Sequence, residues 1–242
     1  GSAVIKAAGV VIKDAVIDGD VIIAEGVADG NVTFDGKATV KGDLIVRGGG
    51  VNSIIITGSA NIKSVVVAKV DGKVRIFADG VVIGEVEANE EVILEGTFTN
   101  VTVAADAAVT IKGNVTKLDL AEKAAVDIQS GTVSTLNIPA GATANIAASA
   151  TVKTANVTGS AEIKGTGKIE NAVISGTGAT IAQTPAKVEV KEGGSANVGG
   201  KTVDNKTNPA TPGTSGGGGG GGSDGGGIAA PALSIASITS GG

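Results

Sequence analysis

A short apolar pattern recurs from Ile62 onward about every 15 to 21 residues, and a period of that length restricts the fold more than any single residue can. One copy is Ile62, Val65, Val67, Val74 and Ile76, and the next is Ile83, Val86, Ala88, Val92 and Leu94. Then come Phe98, Val101, Val103, Val109, Ile111, followed by Val115, Leu118, Leu120, Val126, Ile128. Three more copies are Val133, Leu136, Ile138, Ala144, Ile146; Val152, Ala155, Val157, Ala161, Ile163; and Ile169, Ala172, Ile174, Ala179, Ile181. Their leading residues are spaced 21, 15, 17, 18, 19 and 17, by subtraction. A fixed period near twenty marks a solenoid, in which a unit buries its apolar face only by stacking on its neighbours.

The units read as strands. Apolar residues fall two apart, as in Val101-Thr102-Val103 and Leu118-Asp119-Leu120, and alternation along a strand sends one row inward and the polar partners outward. Val, Ile and Thr dominate, and their branched Cβ suits a pleated backbone. Gly, Asn, Asp and Ser lie between the pairs, as at Asp71-Gly72, Gly113-Asn114 and Gly159-Ser160, and these residues tolerate the backbone of a corner. The expected fold is therefore all-β: a single-domain β-solenoid of roughly nine to eleven coils. Less regular coils precede the repeat, one at Ile12, Ala15, Ile17, Val21 and Ile23 and another at Val32, Phe34, Ala38, Val40, Leu44 and Val46. At about 4.8 Å per coil the rod is on the order of 45–50 Å long.

Composition agrees. Of 242 residues only Phe34, Phe77 and Phe98 are aromatic, where a globular core leans on large rings; a narrow solenoid interior is filled by Val, Ile, Leu and Ala. The formal charge is −5 with two arginines, Arg47 and Arg75, and no basic cluster, which disfavours nucleic-acid binding. Charges at Lys73/Arg75, Glu91/Glu95 and Glu189/Lys191 alternate with apolar residues and read as solvated strand faces. Cysteine is absent, which excludes disulfides and thiolate metal sites. No apolar run reaches eighteen residues, so no membrane insertion is expected.

Catalytic chemistry is sparse. Histidine, cysteine, tryptophan, tyrosine and methionine are all missing, removing imidazole-based triads and zinc sites. Asp18 and Asp20 could share a strand face around Gly19, but an Asp-Gly-Asp turn explains them equally well, and a hard cation needs six to eight oxygens. Glu90 and Glu91 are neighbours that point to opposite faces. Gly48-Gly49-Gly50 lacks the lysine and following helix of a phosphate cradle and reads as a corner. Neither a catalytic site, a cofactor nor a metal is expected.

The composition shifts near the C-terminus. The division expected is a solenoid over residues 1–207, a Pro/Gly-rich linker over 208–227 and a strand-like segment over 228–242. The linker holds Pro209, Pro212 and seven glycines at 216–222, a composition usual in tethers. The stretch 214–227 alone spans up to roughly 45 Å at about 3.3 Å per residue. Leu233 and Ile235 then alternate like a strand without a partner. The last coil is expected to dissolve into Gly199-Gly200, and no amphipathic cap is legible at either end. The expectation is that unsealed ends stack head to tail through Val4, Ile5 and Val198, a contact that does not close on itself and so propagates. Ile228, Leu233, Ile235 and Ile238 would assist by strand donation to a neighbouring copy; the alternative is that they begin a following domain.

Residues 18–34 and 40–54 carry a family resemblance. The phrases Asp18-Gly19-Asp20-Val21-Ile22-Ile23 and Val40-Lys41-Gly42-Asp43-Leu44-Ile45-Val46-Arg47-Gly48-Gly49-Gly50 resemble the solenoid regions of bacterial surface-layer-associated proteins, across roughly residues 10–205. The general style is also similar to that of bactofilins, polymerising β-helical cytoskeletal proteins. The first resemblance implies an extracellular, cell-surface structural protein whose partners are other copies of itself, with possible contact to cell wall or polysaccharide. The chain carries no S-layer homology module, so wall anchoring does not follow. The rival expectation is a binding or adhesion module that presents one solenoid face to polysaccharide or a host ligand; the near absence of aromatic rings weighs against sugar stacking.

Overall fold

A computed structural model describes residues 1–205, and those residues form a β-solenoid of about eleven turns. The chain divides into a unit Gly1–Thr211 and a unit Pro212–Gly242; the second, with the linker and with Ile228, Leu233, Ile235 and Ile238, lies outside the described residues. Three parallel ladders run along the solenoid. The long ladder stacks Ala3–Ile5, Val21–Ile23, then residues 44–46, 65–67, 86–88, 101–103, 118–120, 136–138, 155–157, 172–174, and finally Lys187–Val190. The second ladder starts at Val10–Lys13 and Val32–Asp35 and ends at Ala179–Ile181 and Ser195–Val198. The short ladder starts at Val16–Ile17 and ends at residues 168–169. Parallel strands cannot be joined by a tight hairpin, so each coil returns to its starting ladder by way of the other two.

The interior is a set of stacked aliphatic columns. On the short ladder Ile83, Phe98, Val115, Val133, Val152 and Ile169 lie directly above one another, and all are buried. The register expected from the repeat therefore holds residue by residue along this column. Next to it the long ladder stacks Val86, Val101, Leu118, Leu136, Ala155 and Ala172. Full burial of one such aliphatic side chain stabilises by about 1.5–3 kcal/mol, and here each side chain achieves it only through the coils on either side.

One register differs from expectation. Repeat spacing places Ala161 and Ile163 on Ala144 and Ile146, whereas the second ladder pairs Ala144 with Ile163 and Ile146 with Gly165. The two-residue offset preserves the inward row, because side chains alternate with period two. The Ile146 side chain passes beneath residues 165–167, where a Cβ on Gly167 would come 2.4 Å from Ile146 Cγ2.

Corners are tight and repeated. Turns closed by Ala107 N–H to Ala104 O, Ala124 N–H to Ala121 O and Ala142 N–H to Pro139 O lie on successive coils. Their third positions, Asp106, Lys123 and Gly141, all have positive φ; aspartate and glycine are residues expected at such corners, and the lysine is the departure. Gly96, Gly113 and Gly131 mark a different corner, with φ of 126°, 150° and 88°. A Cβ built on Gly113 would sit 2.0 Å from the Gly96 carbonyl oxygen. Gly80 has φ 73° but open space around its Cβ position. Gly80→Ala thus carries only backbone strain, about 1 kcal/mol, whereas Gly113→Ala adds a steric clash and should cost about 3 kcal/mol or more. Chemical denaturation of the two variants checks this; equal costs would mean that the glycine stack is not tight.

Candidate assembly surfaces

The two ends of the solenoid are not equivalent. In the first coil Ala3–Ile5, Val10–Lys13 and Val16–Ile17 each pair on one side only among the described residues. Ala3, Val10, Ile12 and Ile17 point into the core but are only partly buried, since among the described residues a coil packs against them on one side only. Val4, Val11 and Val16 point outward on the three ladders and are exposed. Of the two expected assembly residues here, Val4 is at the surface and Ile5 is buried.

At the far end the expectation of a dissolving coil needs correction. Gly199 and Gly200, with φ of 56° and 78°, form a two-residue hairpin turn of the kind that glycine pairs favour. Lys201–Asp204 folds back antiparallel on Ser195–Val198, and Val203 is buried beneath it. Val198 is accordingly buried, and its strand has partners on both sides, so it does not present an open edge. Lys187–Val190, the last strand of the long ladder, pairs only with residues 171–174 among the described residues. Among the described residues the long ladder thus pairs on one side only at both ends, while the second ladder finishes at the far one in the antiparallel strand Lys201–Asp204.

The exterior of the long ladder changes character along its length. Its outward column begins Val4, Ile22, Ile45, Val66 and continues Glu87, Thr102, Asp119, Asn137, Asn156. Over the polar part, side chains bond from coil to coil: Asn137 Nδ2 donates to Asp119 Oδ1 at 2.5 Å and Asn156 Nδ2 to Asn137 Oδ1 at 2.7 Å. Lys117 Nζ lies 2.7 Å from Asp119 Oδ2. Over the aliphatic part nothing similar exists. This stripe escaped the repeat-based expectation, yet a signal was present: Val21-Ile22-Ile23, Leu44-Ile45-Val46 and Val65-Val66-Val67 are unbroken apolar triplets, the pattern of strands covered on both faces.

Charged residues flagged by sequence have structural partners. Asp18 pairs with Lys41 at 2.7 Å, and Asp20 Oδ1 accepts the Asp43 N–H at 2.9 Å, so the two carboxylates are engaged separately. Among the described residues no group of three or more metal-ligating side chains occurs. The expected solvated faces are tied by ion pairs across coils, Lys73 to Glu91 at 2.8 Å and Arg75 to Glu95 at 2.9 Å, with the Arg75 guanidinium 4.9 Å from the centre of the Phe77 ring. Residues 48–50 form a buried corner, closed by Ser53 Oγ donating to Gly50 O at 2.7 Å. Lys69, the one buried cation among the described residues, donates to Asp71 O and lies 3.5 Å from Asp29 Oδ1.

Compared with known protein families, curated proteins and solved structures, the chain matches none.

The polar exterior makes stability depend on acid. Burial acts to raise the Asp119 carboxyl, but hydrogen bonds from Lys117 and Asn137 and the Lys117 charge outweigh it and hold the group below its ordinary value. Lysine hydrogen bonds likewise lower Asp18, Asp35, Glu170 and Glu189. A carboxyl depressed in the folded state contributes stability above its unfolded pKa and loses it as pH falls through the folded value. The melting temperature should therefore stay level from pH 7 to about 5 and fall below about pH 4. Asp119→Asn should make that fall shallower; an acid slope unchanged in this variant would contradict the assignment.

Proposed function

We propose that this chain is a structural protein of a bacterial cell surface, a β-solenoid rod that associates end to end with copies of itself into a fibre or layer. The observation that carries the proposal is the first coil, where among the described residues three strands pair on one side only and four inward aliphatic side chains are partly buried. An open strand edge is a template for pairing with another chain. The contact that joins coil to coil along the rod would then also join rod to rod. On the long ladder, Lys187–Val190 of one copy would receive Ala3–Ile5 of the next, whereas the hairpin at residues 195–204 limits how much of the second ladder can take part. The cell-surface setting rests on the resemblance of residues 18–34 and 40–54 to surface-layer-associated solenoids.

Sedimentation velocity over a concentration series, with negative-stain microscopy of the same samples, tests the proposal. The expected result is mass that grows with concentration and unbranched filaments. Ile12→Lys, which places a charge inward at the open edge, should weaken association at least tenfold while leaving the far coils folded by circular dichroism. A parent protein that remains monomeric at every concentration, or one that binds selected sugars on a glycan array while monomeric, would favour the binding-module alternative instead.

A further inference from the structure

Four successive strands of the long ladder present Val4, Ile22, Ile45 and Val66 outward in one line, with Val4 exposed and the other three partly buried among the described residues. Ser2, Asp20, Asp43 and Ser64 border the stripe on one side and Lys6, Ala24, Arg47 and Ala68 on the other. At the fifth strand the same line turns polar with Glu87, and among the later strands only Val173 interrupts the polar run before Glu189. The stripe therefore belongs to one stretch of the rod, and its unbroken apolar triplets are those of strands that carry cover on both faces.

Size selects the occupant. Four strands at about 4.8 Å span roughly 19 Å, and three residues at about 3.3 Å span about 10 Å, so the stripe offers on the order of 200 Å². A stable contact between two folded bodies takes about 800 Å² per partner, so two rods packed through this stripe alone fall well short. An extended segment of six residues, about 20 Å long, matches it. Beyond the described residues the stretch in which leucine and isoleucine recur is Leu233-Ser234-Ile235-Ala236-Ser237-Ile238.

We infer that this stripe is the docking surface for residues 233–238 of a second copy. The inference rests on the end-to-end reading above and gives the donated segment its acceptor. The choice of a second copy follows from distance. The last long-ladder strand lies seven to ten coils from its own stripe, about 34–48 Å at 4.8 Å per coil. In an end-to-end array the stripe of the next copy begins one coil beyond that strand, and lies about 5–19 Å away. Residues 206–232 are 27 in number (232 − 205) and reach up to about 89 Å at 3.3 Å per residue, which covers both distances, so the second copy is chosen because its stripe is the nearer one and not because the other is out of reach.

Mixing two variants of the full chain tests this. Ile45→Asp spoils the stripe and keeps the tail; Leu233→Asp with Ile235→Asp spoils the tail and keeps the stripe. Ile45→Thr serves as a milder, strand-compatible control, and melting curves verify that every variant is folded. The expected result is that each variant alone associates at least tenfold more weakly than the parent. An equimolar mixture should recover association and stop at 1:1 heterodimers, since only one intact stripe and one intact tail meet in each pair. Three outcomes would overturn the inference. Filaments from both variants equal to those of the parent would leave end-to-end stacking standing and remove the stripe from it. Association lost in Ile45→Asp but kept in the tail variant would mean that rods pack directly on one another. A parent that is monomeric throughout, with residues 233–238 cross-linking to their own stripe, would remove the second copy and the end-to-end reading together.

Discussion

The ladder of backbone hydrogen bonds between parallel strands, backed by a column of aliphatic side chains at the same level, is the contact on which every other feature of this protein depends. A single coil has no core of its own: Val115 is buried because Phe98 lies on one side and Val133 on the other. The arrangement is thus nearly one-dimensional, with stability accumulated from neighbour to neighbour. Tight stacking explains why the corners are so constrained. Where the Gly113 backbone passes over Gly96 there is no room for a Cβ, and where Lys123 turns the chain a lysine accepts a positive φ.

Much of this was legible in the sequence because the interior repeats. A column of Ile83, Phe98, Val115, Val133, Val152 and Ile169 can be read off the chain since each coil must offer an aliphatic residue at one height. Four features were not legible, each for a physical reason. The two-residue slip between Ile146 and Gly165 leaves inward and outward rows unchanged, so a hydropathy pattern cannot register it. The hairpin closing Ser195–Val198 depends on the strand after Gly199-Gly200, where Lys201-Thr202-Val203-Asp204 carries only one strongly apolar residue. Positive φ at Lys123 follows its place in the repeated turn, between Asp106 and Gly141 on the coils to either side, rather than residue preference. The outer stripe of Val4, Ile22, Ile45 and Val66 does not follow from the repeat, because stacking constrains only the inward row of each coil.

The asymmetry of the exterior connects fold to proposed role. Along the later coils the outward line of the long ladder is made polar by Asp119, Asn137 and Asn156, whose side chains bond to one another as their backbones do. Along the first coils the line is aliphatic, and the first coil also holds the open strand edges. Among the described residues three strands with one unpaired edge lie beside the aliphatic line at one end of the rod, while the other end leaves Lys187–Val190 paired on one side and folds a hairpin over its second ladder. Such a division suits a contact with direction, in which one end receives and the other gives.

If rods join as coils do, the ladder spacing should run unbroken across the junction. Diffraction from aligned filaments measures this most directly. The expected pattern has a strong meridional reflection near 4.8 Å together with an axial repeat of about 53 Å, eleven coils at 4.8 Å. Filaments without the 4.8 Å meridional reflection, or with an axial repeat unrelated to eleven coils, would contradict end-to-end stacking of this solenoid.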